Sequence, residues 1–328
     1  MRTTATALTL TVLVCFGGCT SFAKKAAKKG YILTVDFTKG QSLEYKFLST
    51  RQITIDWDPE KKMSRPGKQA VDRSTESLEV VMTYTPVEVD PYGLTTIKAT
   101  CKSARVSRSK RPGGLATRDA AEHFAGKSFN LKVGPTGKIE DYSELDQLIK
   151  QVGEKAFRPD TSSGRIKDPD MIGDFIATQW FLWDSVASID PGAGGLAVGQ
   201  TWNSQLSIPA PMVMRKARDV VYKLEEIRDT PAGSLAVISS SYTPAQSVPI
   251  GWPIPYSGRF QVSGTFGFLG AYRLLSLQGT GEELFNIDAG RLEQYTQEYE
   301  MKIQAAIPLG IGAKPVITVK QTITASRL

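Results

Sequence analysis

Apolar residues fall on every second position over much of this chain. Leu43, Tyr45 and Phe47 alternate with Glu44 and Lys46, and Ile53, Ile55 and Trp57 continue the pattern. A period of two marks a strand with one face buried, so a long strand is predicted over 43–57, ended by Asp58-Pro59. A second is predicted over 78–89. Its Pro86 cannot donate to a ladder, which points to an edge or a bulge there. Asp90-Pro91-Tyr92-Gly93 reads as a turn and 95–107 as the next strand, while 31–37 alternates too and is predicted as a short opening strand. Later, 220–227 and 235–242 flank a turn at 229–233, and 292–303 and 316–326 close the chain.

Between these strands the period changes. Leu145, Leu148, Ile149 and Val152 stand at helical spacing after Ser143, a suitable N-cap. Asp168-Pro169 then resembles a cap followed by proline in the first helical turn. A helix is predicted over 170–189, apolar on most sides through Ile172, Phe175, Ile176, Phe181, Leu182, Trp183, Val186 and Ile189. Such a helix needs cover nearly all round.

One stretch is written twice. Phe129-Asn130-Leu131-Lys132 leads through Gly137 to Lys138-Ile139-Glu140-Asp141-Tyr142, and Phe285-Asn286-Ile287-Asp288 leads through Gly290 to Arg291-Leu292-Glu293-Gln294-Tyr295. Upstream of each lies a second match, Gly40-Gln41-Ser42-Leu43 and Gly199-Gln200-Thr201-Trp202, at nearly equal distance. Ordered matches at similar spacing indicate a duplicated unit. The division that follows is a leader over 1–18, a basic tether beginning at Cys19 over 19–30, a first β unit over 31–142, a helical connector over 143–190 and a second β unit over 191–328. Short turns and period-two strands favour antiparallel pairing. The expected fold is mainly β with α (α+β): a curved antiparallel sheet or pair of sheets from two related units, with the central helices on the concave face.

Composition narrows the chemistry. The 328 residues, 41% apolar and 22% charged, suit a globular chain. The net charge of +7 is scattered, and no basic stripe carries interleaved aromatics, which argues against nucleic acid. A basic Gly/Pro insert over 107–118, with Arg108, Lys110 and Arg111, reads as an exposed loop. His123 is the single histidine, so a multi-histidine metal site is excluded. Cys101 is left alone in the body of the chain, inside an alternating run, and is expected in a buried strand. No phosphate loop, nucleophile elbow, zinc helix or Cys-x-x-Cys pair occurs. Asp56-x-Asp58 and Asp168-x-Asp170 fit turns and caps better than metal sites. No cofactor and no metal are expected, and no catalytic motif is found, although a carboxylate pair assembled across strands would leave no linear trace.

The leader gives an address. Arg2 precedes an apolar run over 5–16, too short to span a bilayer, and Gly17-Gly18-Cys19 follows. This resembles the lipobox of bacterial lipoproteins, which departs from the usual pattern only in Phe16 and a thin positive region. The resemblance implies lipid attachment at Cys19 and residence in the bacterial envelope; the alternative is plain secretion, with cleavage after Ser21-Phe22-Ala23. Beyond the leader, the repeated Gly-x-Ser/Thr and Gly-Arg-Leu strand starts resemble a loose group of bacterial secreted proteins and lipoproteins. The coarse architecture is similar to lipoprotein carriers built on an unclosed barrel.

The functional expectation is a non-enzymatic envelope binding protein sheltering an apolar or amphipathic ligand, a lipid among the candidates. Its expected lining is Phe175, Trp180, Phe181, Trp183, Trp252, Phe266 and Phe268. The alternative is a scaffold that contacts other envelope components through sheet edges or loops. A contiguous aromatic-lined cavity favours the first, and a solid core with an exposed apolar patch the second.

Overall fold

The computed structural model describes residues 30–61, 71–109, 118–159, 162–190, 192, 194–249, 251–308 and 314–328. The protein is mostly β and is organised on one curved antiparallel sheet. Five strands come first: β1 (Leu43–Asp56), β2 (Val71–Val89), β3 (Thr95–Arg108), β4 (Ser128–Val133) and β5 (Ile139–Asp141). A helical stretch holds α1 (Ser143–Gly153), the short β6 (Ile166–Lys167), α2 (Ile172–Phe181) and α3 (Asp184–Ala187). Then follow β7 (Thr201–Ser207), β8 (Ala217–Thr230), β9 (Gly233–Pro244), β10 (Gln261–Val262), α4 (Thr265–Phe268), β11 (Gly270–Asn286), β12 (Arg291–Ala306) and β13 (Val316–Arg327). The large sheet runs β5-β4-β3-β2-β1-β13-β12-β11-β9-β8-β7, and β10 pairs with β6 in a separate two-stranded sheet.

Alternation decides what each strand buries. Along β12, Leu292, Tyr295, Gln297, Tyr299, Met301 and Ile303 face the interior while Gln294, Glu298 and Lys302 face water. The expected irregularity at Pro86 is a register shift between Pro86 and Glu88 in the β2–β3 pairing. Strand β2 is internal, so the proline is accommodated by a bulge and not by an edge. Cys101 lies buried in β3.

The sheet contains two meanders that advance in the same sense. Strands β1 to β5 step outward to one edge, β7, β8, β9, β11 and β12 step inward from the other, and β13 joins them. Gly137 and Gly290 both occupy the turn between the fourth and fifth strands of their meander, each at positive φ. At Gly137 a Cβ would lie 2.8 Å from Val35 Cγ2 and 3.0 Å from Trp183 Cβ, so the close approach excludes a side chain as well.

Residues 31–37 are not the strand their alternation predicted. Leu33, Val35 and Phe37 are buried and Ile32 is exposed, but beyond an isolated Tyr31–Leu196 bridge the segment joins no sheet. It crosses the strand ends instead. The Val35 N–H donates to Pro135 O (3.2 Å) and the Asp36 N–H to Gly290 O (2.9 Å), tying both repeated turns to one strap. Period two reports an amphipathic extended chain, whatever it pairs with.

The helices also differ in detail. In α1, Leu145, Leu148, Ile149 and Val152 are buried as their spacing requires, but Ser143 is the first helical residue and its N–H is held by Asp141 (2.9 Å). The predicted helix over 170–189 is two pieces. Asp170 accepts the Ile172 N–H (3.0 Å) and Asp119, from a distant segment, accepts the Met171 N–H (3.3 Å), so α2 starts at Ile172. It stops at Phe181, where Trp183 leaves helical geometry to pack edge-on against Tyr84 and Phe37. Asp184, which opens α3, is engaged by hydroxyls of the β7 side of the sheet. Arg108 is not in an exposed loop but ends β3, paired with Glu76 and Asp119; residues 110–117 lie outside the described residues.

Candidate functional site

The two edges of the sheet line one cleft of about 320 Å3. The β5 side contributes Lys138 and Ile139, and β7 contributes Gln205, Leu206 and Ser207. Trp180 closes α2 on one wall, and Trp252, from the irregular segment after β9, forms the other. Their rings lie 5.4 Å apart, tilted by 49°, and Tyr142 meets Trp180 edge-on at 5.2 Å. Gly251 lets the Trp252 segment come this close: its φ is +89°, and a Cβ there would stand 3.1 Å from the Tyr142 hydroxyl.

Asp184 supplies the charge of the cleft. Its carboxylate accepts hydrogen bonds from Ser204 Oγ (2.9 Å) and Tyr222 OH (2.7 Å) and stays half-buried. Burial pushes its carboxyl up to about 6, against the two hydroxyl donors and the charge of Arg218. Behind it, outside the lining, Glu283 accepts from Ser185 Oγ (2.6 Å). Burial raises Glu283 to about 8, with the charge of Asp184 adding to the effect. Ser207 Oγ lines the cleft, is buried and has no hydrogen-bond partner.

Only two of the seven aromatics expected to line a ligand meet here, Trp180 and Trp252. Phe175 is buried and stacked on Phe124 at 3.8 Å, Phe181 lies 4.8 Å from the Arg218 guanidinium, and Trp183 packs on Tyr84 at 5.5 Å. Phe266 is buried in α4, and Phe268 is 46% exposed. None of these five lines the cleft. Tyr142, Asp184, Gln205 and Ser207 were not anticipated, because nothing linear marks residues that meet only when distant edges converge.

Other features are accounted for structurally. The Asp56 carboxylate holds the Asp58 N–H (3.0 Å) as a turn. Burial pushes the Cys101 thiol up to about 12, away from reactivity. Ser239 donates to Glu225 on the exposed face of the sheet, and Ser240 pairs with the Tyr242 hydroxyl. Among the described residues there is no group of three or more metal-ligating side chains, and no helix is long and apolar enough to cross a membrane. Cys19, the leader and most of the tether lie outside the described residues. A larger trough of about 660 Å3 crosses the outer face of β1, β13, β12 and β11, but it is open and polar, with Glu300 engaged by Lys302 and Lys320.

No family model matches the chain. No curated protein matches it either. Among solved structures it is similar to one described as lipid-protein interactions in lipovitellin, with 9% identity and a TM-score of 0.41. That match covers 88% of this chain and 25% of the other, so the chain spans about a quarter of that protein's length. A second, described as asymmetric conductivity of engineered proteins, has 9% identity, a TM-score of 0.17, and coverage of 88% and 99%. Neither likeness is close enough to bear on function.

Proposed function

We propose that the chain is a non-enzymatic binding protein of the bacterial envelope, anchored through Cys19, which holds one small amphipathic or apolar ligand in the cleft between β5 and β7. In this reading residues 31–142 and 191–328 are two copies of one β unit, and the connector 143–190 lies in the concavity they form. The observation that carries it is the aromatic wall. Two indoles and a phenol converge on about 320 Å3, at the lower end of the usual size of small-molecule sites, with a few polar groups placed among them. The anchor rests on the Gly17-Gly18-Cys19 leader.

Native mass spectrometry of protein purified from its own envelope tests the binding role. A co-purifying small molecule is expected in the wild type and is expected to be lost in Trp252→Ala. Retention of the same ligand by that variant would move the site elsewhere. Labelling with a palmitate analogue tests the anchor separately: Cys19→Ser should abolish it, and equal labelling of both forms would favour plain secretion.

A further inference from the structure

The polar atoms of the cleft have a common character. Gln205 lines the cleft and spends its Nε2 on Asp219 (3.0 Å), which keeps its amide oxygen available as an acceptor. Ser207 Oγ is buried without a partner, and Asp184 makes no ion pair among the described residues. A half-buried carboxylate with only hydroxyl donors retains much of its field, since two neutral hydrogen bonds do not cancel a charge. Beside it stand the faces and edges of Trp180, Trp252 and Tyr142, the ring types that attract cations best. An ammonium group has three donors and no acceptor. It answers this set of acceptors and rings at once.

We infer that the ligand of this cleft carries a protonated primary amine, seated against Asp184 and Ser207 with its apolar part between Trp180 and Trp252. This rests on the cleft being the binding site proposed above. The charged and titratable groups around Asp184 are consistent with it. From β8 come Tyr222, whose hydroxyl is a donor to the carboxylate, and Arg218, which makes no ion pair with it. Glu283 of β11, behind it, keeps its proton up to about pH 8, so Asp184 is the carboxylate that carries charge here. On the β4–β5 turn Lys138 is well exposed and faces Glu140 at 3.3 Å, so its charge is spent at the rim. A bound cation would neutralise the one uncompensated charge of the lining.

The test compares n-octylamine with n-octanol, two probes of equal chain length, by calorimetry on the full chain below their aggregation thresholds. At pH 7.5 the amine should bind at least about tenfold more tightly than the alcohol, the scale expected of a partly desolvated cation on an aromatic carboxylate site. The preference should fade as the pH falls through about 6, where Asp184 takes up its proton. Asp184→Asn should abolish the preference, bringing the affinities for amine and alcohol together. The wild-type pH profile serves should that variant not fold. Equal binding of both probes at pH 7.5 would overturn the amine assignment and leave the cleft as an apolar site. Binding of neither, or binding unaffected by Trp180→Ala, would overturn the cleft itself.

Discussion

Helix α2 begins in one kind of buried polar environment and ends in another. At its start every charge has a counter-charge. Arg51, 1% exposed, reaches Glu76 (2.7 Å) and Asp174 (2.8 Å), and Asp174 also accepts from Ser49 and Gln321. Arg108 bridges Glu76 and Asp119, and Lys167 pairs with Asp170 at 2.6 Å. Burial works against the Glu76 charge, but Arg51 and Arg108 more than offset it and hold the carboxyl below its ordinary value. At the far end the charges are single. Arg218 donates only to Gln297 (2.6 Å), leaves Nε and Nη1 without partners, and is boxed by the rings of Phe181, Tyr242 and Tyr299. Asp184 and Glu283 have hydroxyl donors alone. The first environment is closed and serves the fold. The second is unfinished, and it is the one that borders the cleft.

Breaking the closed end should have the largest effect. Arg51→Met leaves buried Asp174 without a counter-charge and Glu76 with Arg108 alone, and is expected to cost about 3–5 kcal/mol, read as a lower urea midpoint. A cost below about 1 kcal/mol would show that the pairing does not lock the helix. Next is Glu283→Gln. The folded state holds the Glu283 proton up to about pH 8, against an ordinary value of 4.5. Its neutral form therefore stabilises the fold below pH 4.5, and that contribution is lost as the pH rises through 8. The variant should match wild type near pH 5 and exceed it at pH 9 by on the order of 2–4 kcal/mol in thermal or urea unfolding. Parallel pH profiles would mean that Glu283 is not desolvated as described. The smallest effect is expected at Arg218. With no carboxylate left behind and rings suited to a flexible thioether, Arg218→Met should stay within about 1 kcal/mol of wild type. A loss comparable to that of Arg51→Met would erase the contrast between the two ends.

What was legible in the sequence follows the same division. Strands such as β1, β12 and β13 could be read because alternation is a local property, and α1 because Leu145, Leu148, Ile149 and Val152 share one face. The end of α2 could not, since Trp183 and Asp184 are turned by Tyr84, Ser204 and Tyr222, partners that the spacing of apolar residues does not encode. Likewise 31–37 has strand periodicity but spends it on the turns at Pro135 and Gly290. Trp180 and Trp252 stood out as aromatics; that they are neighbours, and that Phe175 and Phe181 are not with them, depends on where the sheet edges come to rest. The ionic cluster joins Arg51 to Asp174 across 123 positions, which no window along the chain can see.

The strand count carries one more consequence. Neighbours in an antiparallel sheet alternate in direction, and among the described residues this sheet has eleven strands, so β5 and β7 point the same way. Drawn together as they stand, they would form a parallel pair; an all-antiparallel ring needs an even number. Closing the seam would therefore take one parallel pair, a demand set by strand direction and not by which side chains line it. Substitutions at Trp180, Trp252 or Asp184 can change what the seam holds, but none of them can make an antiparallel pair of β5 and β7.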